Sequence, residues 1–179
     1  MGTGQILLVI VGIAALMILF KFLFRASAHQ SQTGSSSAGP AITSAAKRMG
    51  SVAKQATLFA EASMLLVNRT ALENDGPRIN AALFMAGAVG YLADRKGLGD
   101  TERFAVMCAV LEHAGLMTEG EAYTFASDMP AVSESSAEGQ LRNKGRETVH
   151  SWLSGEDDAA PARLAKYVEE WATVEVGNI

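Results

Sequence analysis

The chain has 179 residues, with 15 Lys or Arg against 19 Asp or Glu, one Cys and 49% apolar side chains. That length holds one modest domain, and a single cysteine excludes both an intramolecular disulfide framework and a Cys-rich zinc or iron–sulfur module. The apolar fraction excludes a wholly disordered chain, so stability comes from a packed core.

The first predicted element is a membrane anchor. Residues 6–20, opening on Ile6 and closing on Phe20, carry no charged or hydrogen-bonding side chain, and Phe22, Leu23 and Phe24 extend the run past Lys21. At about 1.5 Å per residue the run spans roughly 28 Å, the thickness of bilayer hydrocarbon. Lys21 and Arg25 close it with stems long enough to reach the headgroups, and the five residues before Ile6 contain no basic side chain. Residues 21–54 hold five basic groups and no acid. This asymmetry predicts an outward N-terminus and a cytoplasmic body, with residues 1–25 as a single-pass anchor in a bacterial inner membrane. The alternative is a cleaved signal peptide ending near Ala26-Ser27-Ala28, but the positive charge follows the run instead of preceding it. The run is also longer than the apolar region of a signal peptide.

Residues 26–44 change to Ser, Gly, Ala, Gln and Thr. Such a segment buries too little surface to order itself and is expected to be a flexible tether, with His29 carrying no chemistry. From residue 45 to 179 the apolar spacing is helical and no stretch alternates with a period of two, which predicts an all-α cytoplasmic domain, a compact bundle of five or six helices.

The first helix, over 43–67, places Ala45, Met49, Val52, Ala56, Phe59, Met64 and Val67 on one side. Asn74-Asp75-Gly76-Pro77 starts a second, over 77–95, apolar around most of its circumference and therefore buried, with Gly87 and Gly90 marking close approach of a neighbour. Asp100 is the expected cap of a third, whose stripe is Phe104, Met107, Cys108, Leu111 and Ala114 and whose stop is Gly115. Thr118 and Glu121 have capping-box spacing for a short helix to Asp128, and Ser135 and Glu138 repeat it for a helix to Leu153 that is polar until Val149 and so is expected to pack only at its end. Glu156-Asp157-Asp158 is the expected start of the last helix, with Leu164, Tyr167, Val168, Trp171 and Val174 on one face.

Over residues 81–126 the pattern of Ala93-Asp94, then Gly97-Leu98-Gly99-Asp100-Thr101-Glu102-Arg103 between two apolar helices, with a short capped helix after Gly115, resembles the TerB-like domain of tellurite-resistance proteins. The resemblance covers about a quarter of the chain. It implies a metal- or stress-responsive helical domain with Asp94, Asp100 and Glu102 as ligands. The sequence departs from that pattern by inserting Arg95-Lys96 between the Asp and the Gly and by placing Asp100 at the cap. The residues alone favour capping, because the spacing fails the calcium loop and Arg95, Lys96 and Arg103 compete for the carboxylates.

No catalytic signature is present for nucleotide hydrolysis, Rossmann redox chemistry, serine esterase or zincin activity, so neither an enzyme nor a cofactor is expected. His150 follows Glu147 by three, but a di-iron bundle needs that motif on two helices plus two further Glu. His113 and Cys108 read as structural, the thiol as a small buried hydrophobe. Residues 55–179 hold 10 basic and 19 acidic groups, a net charge of −9, which argues against nucleic acid and repels the body as a whole from anionic lipid. Apart from lipid around the anchor, the expected partner is protein, with the exposed remainders of the Trp152 and Trp171 helices as candidate contact surfaces and a purely core role for both rings as the alternative. The expectation is a non-enzymatic accessory or scaffold subunit of a larger membrane assembly.

Overall fold

The computed structural model describes residues 40–176. The expected membrane run and the expected tether up to residue 39 lie outside the described residues. Among the described residues all regular structure is helical and no strand occurs.

Helix α1 (Pro40–Met64) opens on a proline, whose missing N–H costs nothing in a first turn, so residues 40–44, expected as tether, are helical. Its inward face is the predicted one, with Val52, Ala56 and Phe59 at 1% exposure or less. The helix ends at Met64 instead of Val67, and Asn68 caps a 3-10 turn (Arg69–Glu73), its Oδ1 accepting from the Thr70 amide at 3.1 Å.

Helix α2 (Asp75–Lys96) carries Pro77 in its first turn, and every residue from 81 to 90 is buried. Gly97, at φ +62°, ends it, and the Leu98 amide donates to the Ala93 carbonyl at 3.0 Å. Helix α3 (Asp100–His113) is capped differently from expectation. Asp100 is its first helical residue, and Glu102 reaches back so that its Oε2 accepts from the Gly99 amide at 2.9 Å. Gly115, at φ +69°, stops it as predicted.

Helix α4 (Glu119–Asp128) has the predicted capping box: the Thr118 amide donates to Glu121 Oε2 at 2.8 Å and the Glu121 amide donates to Thr118 Oγ1 at 3.4 Å. The Thr118 amide and the Thr118 hydroxyl, the latter also at 2.8 Å, both donate to Glu121 Oε2, and with Arg78 Nη1 3.3 Å from Glu121 Oε1 they hold the Glu121 carboxyl below its ordinary range. A depressed carboxylate contributes stability that is complete above its unfolded pKa and is lost as pH falls through its folded one. Thr118→Ala removes the hydroxyl bond and leaves the amide one, so it is expected to cost about 1 kcal/mol at neutral pH as a lost cap and to make the stability loss below about pH 5 shallower without abolishing it. Denaturant melts at neutral and acid pH check this, and equal slopes for both chains would refute it.

Helix α5 (Ala137–Ser154) is capped by Ser136, one residue later than the expected Ser135, its Oγ accepting from the Gly139 amide at 3.0 Å. Helix α6 (Arg163–Val176) starts after the acidic run rather than on it. Asp157 instead accepts from the Ala159 amide at 2.9 Å and from Arg163 Nη2 at 2.6 Å, and Pro161 disfavours helical geometry at the residue before it, confining Ala160–Ala162 to a 3-10 turn.

The described residues from Ser44 onward form one unit in which α2 is central, packing most extensively on α5 and then on α3 and α6, while α4 packs on α3. The α2–α5 crossing corrects the expectation that α5 packs only at its end. Gly139, Gly145 and Thr148 are buried, and a methyl group on Gly145 would overlap the Phe84 carbonyl. One on Gly87 would overlap the Arg142 carbonyl. Gly90 is not part of this close approach, since a Cβ there would find only Arg146 Nη1, at 3.9 Å. Rings then join four helices: Phe84 of α2 lies 6.2 Å from Phe59 of α1 and 6.0 Å from Tyr167 of α6, and Phe59 lies 5.5 Å from Trp152 of α5.

Candidate interaction surface

The carboxylates picked out by the resemblance do not gather into a ligand set. Asp94 Oδ1 accepts from Arg103 Nη2 at 2.6 Å and its Oδ2 from Arg146 Nη1 at 3.0 Å, so Asp94 ties the end of α2 to α3 and α5. Glu102 is engaged at its own helix start, and Asp100 opens that helix. Among the described residues no group of three or more His, Cys, Asp or Glu side chains is arranged to hold a metal ion.

Both histidines of the body bridge helices. His113 Nε2 lies 2.9 Å from Glu61 Oε1, joining α3 to α1. His150 Nδ1 lies 2.7 Å from the Tyr91 hydroxyl, joining α5 to α2, with Arg95 over the Tyr91 ring at 5.8 Å. The Glu147–His150 spacing thus serves a helix contact on its His side. Cys108 is 3% exposed and its thiol donates to the Ala122 carbonyl at 3.6 Å. Burial pushes the thiol up to about 11. The native chain is expected to resist a water-soluble disulfide reagent at about pH 8 and to react with one equivalent once unfolded. Stoichiometric reaction of the native chain within the mixing time would refute that burial.

Trp152 and Trp171 are each half-buried. Trp152 leans on Phe59, and Trp171 stacks on Tyr167 with centroids 5.9 Å apart and planes 25° apart. Each therefore has a ring contact within the bundle and remains partly exposed.

Sequence reasoning missed a second apolar surface. Leu58 is 47% exposed, Leu65 82% and Leu66 64%, at the C-terminal part of α1 and the turn after it. Beside them an open groove runs between Met64 and Ala114, rimmed by Glu61, His113 and Arg69, whose Nη1 donates to the Ala114 carbonyl at 3.2 Å. The signal was available: Met64-Leu65-Leu66-Val67 is four apolar residues in succession, more than one helix face can bury. The N-terminal part of α1 exposes Lys47, Arg48 and Lys54.

Among the described residues no helix is long and apolar enough to cross a membrane. Comparison of the chain with protein-family models, with curated proteins and with solved structures finds no match.

Proposed function

We propose that the chain is a membrane-anchored, non-enzymatic accessory or scaffold subunit of a larger bacterial inner-membrane assembly, with its N-terminus outside and its helical body in the cytoplasm. The observation that carries this reading is the uncharged run 6–20, followed by five basic residues and no acid over residues 21–54. The body supports it through what its polar groups do. Asp94, His113, His150 and Cys108 are all engaged in holding helices together, and the surface edges of Trp152 and Trp171 are left for contact. Tethering supplies the mechanism. An effective concentration on the order of millimolar keeps a micromolar contact almost fully occupied without further binding surface. The metal-responsive alternative implied by the TerB-like resemblance is supported less well, since two arginines already neutralise Asp94.

Mild-detergent capture of the full-length chain from its native membranes tests the proposal, with intact mass and peptide identification of everything present in fixed ratio. A stoichiometric membrane partner, with the chain still beginning at Met1, is the expected result. A chain that emerges alone, or that begins near His29, overturns it.

A further inference from the structure

The outward face of α1 joins basic and apolar side chains. Lys47, Lys54, Leu58 and Leu65 stand at i, i+7, i+11 and i+18 and are all exposed. At about 100° per residue they fall within an arc of roughly 40°. Val52, Ala56, Phe59 and Ser63, all buried, occupy the opposite side. Leu65 keeps the helical register, its amide donating to the Glu61 carbonyl at 3.1 Å, and Leu66 follows it at 64% exposure. The acid on this face is Glu61, which faces His113 at 2.9 Å; from Pro40 to Ala60 the helix contains Lys47, Arg48 and Lys54 and no acid.

We propose that this face of α1 lies on the anionic surface of the membrane, Lys47 and Lys54 against the headgroups and Leu58, Leu65 and Leu66 dipping into the acyl boundary. The proposal rests on the anchored reading above, which keeps the body within reach of the bilayer. Charge selects this occupant. A helix that is basic and apolar on its outer side fits an anionic lipid interface, in which such helices sink about 5–10 Å. The net charge of −9 carried by residues 55–179 is compatible with this, because Lys47, Arg48 and Lys54 precede that segment and α1 carries no acid besides Glu61. Docking α1 turns one side of the bundle to lipid and leaves the Trp152 and Trp171 edges for a protein partner, so the membrane would orient the scaffold as well as hold it.

The test uses the full chain reconstituted into phosphatidylcholine vesicles with and without phosphatidylglycerol. A polarity-sensitive fluorophore is placed by Leu65→Cys, and by Gln140→Cys as an exposed reference on α5. Cys108, buried with its thiol pushed up to about 11, leaves the background unlabelled. In anionic vesicles the label at 65 is expected to shift to the blue and to become roughly threefold less quenchable by acrylamide, as interfacial insertion requires, while the label at 140 stays quenchable. About 1 M salt, at which the screening length is about 3 Å, is expected to reverse the protection. Lys47→Glu with Lys54→Glu weakens the docked state by at least about twentyfold, from roughly fivefold per lysine. A chain that co-floats with the vesicles while position 65 remains as quenchable as 140 overturns the docking and leaves the anchor intact. Protection that persists in neutral vesicles and rises with protein density assigns the face to a second copy and also overturns it. A chain that does not co-float overturns the anchored reading and the docking together.

Discussion

Gly145→Ala is expected to lower the stability of the folded body by about 3 kcal/mol or more, the upper end of what overpacking costs. The added methyl would overlap the Phe84 carbonyl, lie 2.8 Å from the Phe84 carbonyl carbon and 3.2 Å from the Ala88 amide nitrogen. All of these are backbone atoms of α2, in a stretch where every residue from 81 to 90 is buried. No rotamer change relieves such a contact. The helices must separate, and separation forfeits dispersion contacts along the most extensive helix pair in the fold. Against a total of about 5–15 kcal/mol for an ordinary domain, the loss is a large share. Gly50→Ala supplies the opposite sign within the same chain. Gly50 is exposed in the middle of α1 with nothing within 4 Å of a Cβ, so alanine there removes only backbone freedom and is expected to stabilise by about 0.5–1 kcal/mol. Thermal or denaturant melts of the two variants check both signs, and a Gly145→Ala chain melting within about two degrees of the parent would refute the close crossing.

The same glycine marks the limit of what the sequence disclosed. The central helix α2 was legible because thirteen of its residues are buried and a helix without a polar face has nowhere else to go. The Thr118–Glu121 cap and the stop at Gly115 were legible because they rest on local chemistry within a few residues. Helix α5 was not. Apolar periodicity measures side-chain bulk, whereas α5 meets α2 where Gly145 faces Phe84 and Gly87 faces Arg142, a contact that depends on bulk being absent. The cap at Ser135 was misplaced by one residue because Ser136 offers the same hydroxyl and only the backbone path decides which points at the free amides, whereas at Asp100 the cap is Gly99, whose amide is met by Glu102 from within the helix. At the candidate surface the Tyr167–Trp171 stack was legible, since both rings lie on one face of α6, but the packing of Trp152 on Phe59 was not, since that ring belongs to α1. The exposed Leu65 and Leu66 were concealed by treating Val67 as the end of the first helix. With the helix closing at Met64, the apolar run overshoots the face that α1 buries.

Phe59→Ala is the second large effect, and it bears directly on how α1 is held. Phe59 is fully buried, its ring 6.2 Å from Phe84 and 5.5 Å from Trp152, so it couples α1 to both α2 and α5. Truncation removes the transfer energy of the ring, leaves a cavity and deletes two aromatic contacts, for an expected loss of about 3–5 kcal/mol. Phe59→Leu, which keeps much of the volume, is expected to lose markedly less than the truncation. The chain has two tryptophans, so Trp171→Phe as background isolates Trp152 as the reporter. In that background Phe59→Ala is expected to shift Trp152 emission to the red under native conditions, because the side of the indole that now faces a ring would face water or a void. The two readouts separate two ways of failing. A stability loss with unshifted Trp152 emission would mean that the cavity collapses while α1 stays docked. A red shift with little change in melting temperature would mean that α1 is a weakly held appendage, and the rest of the bundle would then melt as a unit without it. A large loss, with or without the red shift, makes α1 an integral wall of the bundle. That rigidity is what allows the face opposite Phe59, carrying Lys47, Lys54, Leu58 and Leu65, to be presented in one orientation.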